Sequence, residues 1–149
     1  MRLIFGSKNE HVEYRVRKGA YAVIFNDLKD KVLAVQTPSG HHFLPGGGME
    51  DNESEIECLK REMIEETGNK IEINSFIGNA ICYFYSTKNE PLLSDGYFYR
   101  AKLLERVQDP VEVHHYAKWV KLEEMEDSFF HEHQIWAIKK GLNSRVTLT

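Results

Sequence analysis

The chain has little of what would take it away from an aqueous, reducing setting. Cysteine is scarce: Cys58 and Cys82 are the only two. They form no close metal or redox motif, so a disulfide scaffold is excluded and free thiols are the simplest state. No apolar run approaches the length of about 18 residues that a membrane helix requires. The segment from Met1 to Lys18 offers only Leu3-Ile4-Phe5, too short for the core of a secretory signal. A cytoplasmic chain with no membrane partner is therefore expected. Excess base is also missing. The net charge is −4 and the pI about 6.0, where a binder of nucleic-acid polymer would carry a basic stripe. Repeats and low-complexity segments are absent. What remains is 149 residues at 42% hydrophobic, enough for one core and one domain spanning 1–149.

The pattern along the chain alternates between strand and helix periods. Ala20 to Phe25 is apolar on both faces, as a central strand would be. Val32 to Val35 follows a polar turn at Asn26 to Lys31, and Phe43-Leu44 leads into a glycine run. Further strands are expected at Ile71 to Phe76, Ala80 to Tyr85, Tyr97 to Leu104 and Lys118 to Val120, with a turn-rich stretch from Ser86 to Asp95. A late helix is expected over about Ser128 to Lys140. Asp127 or Ser128 would cap it, Gly141 would stop it, and Leu142 to Thr149 would form a tail.

The densest chemistry lies between these elements. Leu44-Pro45-Gly46-Gly47-Gly48 precedes Glu53, and seven residues later comes Arg61-Glu62-Met63-Ile64-Glu65-Glu66-Thr67-Gly68. At about 100° per residue, Glu62, Glu65 and Glu66 fall within an arc of about 100° on one helix face. Like charges about 6 Å apart repel by roughly 2–3 kcal/mol at an effective dielectric near 20, so in a cleft this stripe needs cations. Hard carboxylate oxygens suit Mg²⁺ or Mn²⁺, completed by water and substrate phosphate. Ile56, Leu59 and Met63 form an adjoining apolar stripe. Asp51, Asn52 and Ser54 are cap candidates, with Glu55 and Glu57 as capping-box partners, and Gly68 is the stop. The glycine run permits close backbone approach and can receive phosphate on its amides.

Gly47, Glu53 and the run from Arg61 to Gly68 together resemble the box of the Nudix hydrolases, spanning 47–69. Every polar position matches, and only Asn69 departs, where the box ends on an apolar residue. The resemblance implies an α/β fold with a mixed β-sheet sandwiched between α-helices. It also implies Mg²⁺-dependent (or Mn²⁺-dependent) hydrolysis of a diphosphate linkage in a nucleoside diphosphate derivative, either a nucleoside triphosphate or a dinucleoside polyphosphate. By the same resemblance Glu62, Glu65 and Glu66 are metal ligands, joined by the backbone carbonyl of Gly46. Glu62 is the general base, Arg61 orients the carboxylates, and Glu53 braces the loop–helix junction or assists water indirectly. Gly47 and Gly48 would meet the substrate. A further carboxylate is expected from a loop before a late strand, and Glu112 stands there. In the family a Tyr set beyond the box marks diadenosine polyphosphate hydrolases and a Pro marks ADP-ribose hydrolases; here Tyr85 and Phe84 hold those positions.

The histidines carry weaker signals. His114 and His115 read first as exposed loop residues, and His41 and His42 as lining a turn. His131 and His133 stand about 200° apart if helical, which makes a shared metal difficult. The competing reading is a Nudix-fold protein that binds or senses a nucleotide without cutting it. Such proteins usually lack box carboxylates, whereas here all are present.

Overall fold

The computed structural model describes residues 2–111 and 114–143. Its longest helix, α1 (Glu55–Thr67), is set at both ends by local chemistry. Among the cap candidates it is Ser54 that acts. Its hydroxyl accepts the Glu57 N–H at 3.1 Å, and its own N–H donates to Glu57 Oε1 at 3.0 Å, closing a capping box. Gly68 ends the helix in the left-handed region at φ 78° and donates its N–H to Ile64. A Cβ there would strike the carbonyl of Gln108.

The strands are β1 (Leu3–Phe5), β2 (Arg15–Val23), β3 (Lys31–Gln36), β4 (His42–Phe43), β5 (Gly46–Gly48), β6 (Asn69–Tyr85), β7 (Pro91–Arg106) and β8 (Tyr116–Lys121). Five form a sheet ordered β1-β6-β7-β2-β5, and three form a second sheet ordered β4-β3-β8. The larger sheet is mixed: β1 runs parallel to β6 and β2 parallel to β7, while the β6–β7 and β2–β5 pairs are antiparallel. A single-turn helix, α2 (Met125–Ser128), and a longer one, α3 (Glu132–Asn143), follow.

Strand alternation explains the sandwich. On β2 and just beyond it, Ala20, Ala22 and Ile24 join Cys58, Leu59 and Met63 in the cluster under α1. Val23 points the other way, into a cluster with Phe98, Ala137 and Ile138 under α3. Register shifts between Ile73 and Ser75 and between Phe76 and Gly78 change the phase of β6. Ile73 therefore packs towards α1 and Ile77 towards α3, although both are odd-numbered.

Several boundaries differ from the expected ones for identifiable reasons. The glycine run is a short edge strand, β5, paired with β2 through Gly46↔Tyr21, Gly47↔Ala20 and Gly48↔Gly19. The two strands expected between Ile71 and Tyr85 are one bulged strand, and β7 begins at Pro91, which shortens the turn to 86–90. The late helix is broken, because Phe129 is extended and bridges His42. Gly141 lies inside α3, packed close to Ile77 and Val23, and is no stop. On α1, Ile56 is 41% exposed whereas Cys58, Leu59 and Met63 are buried. The arc was right, but the buried contacts begin one half-turn later. Among the described residues no helix is long and apolar enough to cross a membrane.

Chemical denaturation of two variants separates these positions. Leu59→Ala should lose about 2–5 kcal/mol of unfolding free energy, and Ile56→Ala about 1 kcal/mol or less; equal losses would contradict this packing.

Candidate active site

The box carboxylates are organised by one guanidinium. Arg61 donates from Nε to Glu53 Oε2 at 2.6 Å and from Nη2 to Glu53 Oε1 at 3.0 Å, the two-pronged geometry that suits a planar fork. Its Nη1 reaches Glu62 Oε1 at 3.1 Å and Glu65 Oε2 at 3.2 Å, and Glu50 lies 3.6 Å away. Nη2 also donates to the Gly48 carbonyl at 3.1 Å. Glu53 precedes α1 and also accepts the Glu50 N–H at 2.9 Å. The Arg61 hydrogen bonds, then that backbone N–H, hold its carboxyl down at about 2. Hydrogen bonding to Glu53 in turn raises the Arg61 pKa.

The glycine strand is where α1 meets the sheet. Glu66, only 7% exposed, accepts the Gly46 N–H at 2.8 Å. A Cβ on Gly47 would lie 2.7 Å from the Glu62 carboxylate carbon, so a residue with any side chain would displace that carboxylate. Cys58 is buried beneath the strand with Sγ 3.4 Å from the Gly47 carbonyl, and burial pushes its thiol up to about 11. A cleft of about 630 Å³ opens over this strand. Gly46, Gly47 and Gly48 line it, with Arg17, Lys18 and Tyr21 from β2, Glu66 and His115 beside them, and His131 and Gln134 across from them. The donor set on α1 is all hard oxygen, with Glu62 and Glu65 on the Arg61 guanidinium and Glu66 at the glycine strand, which fits a hydrated divalent cation.

Other expected positions fall elsewhere. Tyr85 is 43% exposed, pairs with Pro91 and approaches the Tyr14 ring at 6.3 Å; it does not line the cleft. Glu112 lies outside the described residues. His114 is exposed, but His115 is half-buried, with Nδ1 3.6 Å from Glu66 Oε2. Asn69 uses its polar groups: its N–H donates to Thr67 Oγ1 and its Nδ2 to the Leu104 carbonyl. That accounts for a polar residue at the helix exit. Arg17 and Lys18 were not singled out because isolated bases on a strand form no motif. They line the cleft with the glycines, just before the β2–β5 pairing that begins at Gly19.

The NUDIX domain family model matches residues 15–140. The chain belongs to the NUDIX family. It is 28% identical over 120 residues to Nudix hydrolase 4 of Arabidopsis thaliana, a match covering 79% of this chain and 55% of that protein. The chain thus spans about half the length of this curated relative. A NUDIX hydrolase from Nitrosomonas europaea superposes with a TM-score of 0.69 at 22% identity, covering 85% of this chain and 88% of that one. A mutator MutT protein from Bacillus halodurans gives a TM-score of 0.62 at 24% identity, covering 86% and 83%. At such identities these likenesses concern the fold alone. NUDIX hydrolases generally use a divalent metal, and the α1 carboxylates are the donor set such an ion would meet.

The Glu53–Arg61 brace has a pH signature. The Glu53 carboxyl is lowered from 4.5 to about 2, so the brace contributes stability above about pH 4.5 and loses it as pH falls towards 2. The difference in denaturation midpoint between wild type and Glu53→Gln should be constant near neutrality and shrink across that acidic window. A difference that is flat down to pH 2 would contradict the assignment.

Proposed function

We propose that the chain acts as a Nudix pyrophosphohydrolase, a single cytoplasmic domain that cleaves a diphosphate linkage in a nucleoside diphosphate derivative with Mg²⁺ or Mn²⁺. Its substrate is a small molecule, a nucleoside triphosphate or a dinucleoside polyphosphate, and not a nucleic-acid polymer. The observation that carries this reading is the Arg61 fork, which grips Glu53 and reaches Glu62 and Glu65 beside a glycine strand that lines the cleft.

Each residue has a role consistent with its position. Glu62, Glu65 and Glu66, with the Gly46 carbonyl, would hold the cation. When bound, the cation lowers the pKa of water and neutralises charge developing on the phosphate oxygens. Glu62 takes the proton of the attacking water as the new bond to phosphorus forms, and the bridging oxygen departs with the leaving phosphate. Arg61 keeps Glu62 and Glu65 from folding away, and Glu53 keeps Arg61 in place. Gly47 and Gly48 leave room for the phosphates. Arg17 and Lys18 line the same cleft and supply positive charge for an anionic substrate that the overall charge of −4 would repel.

A product assay over diadenosine polyphosphates, nucleoside triphosphates, oxidised dGTP, ADP-ribose and nucleotide sugars tests this reading. Turnover should require Mg²⁺ or Mn²⁺ and stop with a chelator. Glu62→Gln should keep the fold and lower kcat by about 10²–10⁴-fold. Unchanged turnover would remove Glu62 from the mechanism. Nucleotide binding with no turnover of any substrate by the wild type would favour a sensing role instead.

A further inference from the structure

Behind the cleft, on the α3 side of the sheet, three buried side chains of ligand type converge. They are Cys82 on β6, His131 just before α3 and His133 in its first turn, exposed by 4%, 8% and 0%. One ligand atom from each lies within 4.8 Å of the others. The expectation that the two histidines cannot easily share a metal assumed that both are helical. His131 precedes α3, and its ring lies 5.3 Å from that of His133 at 85°.

A second observation comes from hydrogen bonding. His133 Nε2 lies 3.0 Å from the buried hydroxyl of Ser94, which is in turn hydrogen-bonded to Tyr21. Its Nδ1 is buried with no hydrogen-bond partner, a rare and costly state for a ring nitrogen in a core. With the Nε2–H given to Ser94, the tautomer leaves the Nδ1 lone pair unused. An outer-shell partner orients a metal-binding imidazole in the same way.

We propose that Cys82, His131 and His133 form a second metal site, for Zn²⁺ or a similarly soft divalent cation, separate from the carboxylate face of α1. One thiolate and two imidazoles, with no carboxylate, favour such an ion over Mg²⁺. Burial keeps His131 at about 4 and His133 at about 3, so both imidazoles are neutral near pH 7 and need lose no proton. Burial raises the Cys82 thiol to about 11, opposed by backbone hydrogen bonds from His133 and Glu132. Binding displaces that proton to solvent, one per ion, with no change of oxidation state. Bond lengths of about 2.0–2.3 Å place tetrahedral ligand atoms about 3.3–3.7 Å apart, so from separations within 4.8 Å the cluster tightens by about 1.5 Å at most. His131 lines the cleft, which provides an entry path and a fourth position for water. The ion clasps β6 to the start of α3. The next residue, Gln134, accepts the Leu44 N–H at 2.8 Å, so the clasp also steadies the segment that leads into the glycine strand.

The test uses the intact, chelator-stripped protein titrated with Co²⁺ in excess Mg²⁺, which occupies carboxylate sites. A sulfur-to-cobalt charge-transfer band should saturate at one equivalent and be displaced by one equivalent of Zn²⁺. It should be lost in Cys82→Ala, kept in Cys58→Ala, and require more Co²⁺ in His131→Asn. No such band in folded wild type overturns the proposal, as does a band that survives Cys82→Ala. The wild-type titration does not depend on any variant folding, and the readout is independent of hydrolysis.

Discussion

One guanidinium shared among several carboxylates is the constraint on which the site depends. Arg61 is bound two-pronged by Glu53 and is within reach of Glu62, Glu65 and Glu50. A single positive charge cannot neutralise that many negative ones. The surplus carboxylate charge is costly in a partly desolvated cleft, and a divalent cation relieves it. The same fork holds the side chains in place without a cation, so on the proposed function little reorganisation would be left for the reaction. Glu53 acts through Arg61, which explains why a residue outside the helix belongs to the helical motif.

The glycine strand is the complementary half of the arrangement. Because Gly47 has no side chain, the Glu62 carboxylate can lie against the backbone. The Gly46 N–H ties Glu66 to the edge of the sheet. The helix and the sheet are joined through the carboxylates of α1, and Cys58, Leu59 and Met63 supply the apolar contact beneath them. The packing stripe and the carboxylate stripe therefore adjoin on α1, with Glu66 at the border between the buried and the polar parts.

Much of this was legible from residue spacing, and the rest was not, for physical reasons. The capping box at Ser54, the stop at Gly68 and the double-faced run from Ala20 depend on local chemistry, which a chain displays directly, although β2 begins at Arg15 and ends at Val23 where Ala20 to Phe25 is expected. Pairing partners are non-local, so nothing in the glycine run itself displays an edge strand, and nothing around Arg17 and Lys18 displays their place on the cleft. Helical arithmetic failed where the backbone is not helical: the break at Phe129 brings His131 next to His133, and no count of residues foretells it. Ile56 shows the opposite limit, since its angle is right but at the start of α1 it stays 41% exposed. Tyr85 matched a distance along the chain, but the fold carries it to the Tyr14 side of the molecule, away from the cleft lining.

The most direct test of the central claim is an anomalous difference map from crystals grown with Mn²⁺ and a non-hydrolysable nucleoside diphosphate analogue. The expected result is a manganese peak coordinated by Glu62, Glu65 and Glu66 near the Gly46 carbonyl, with the Arg61–Glu53 pair intact and the diphosphate completing the shell. A manganese peak held elsewhere, with these carboxylates still turned to Arg61 and bare of metal, would contradict it.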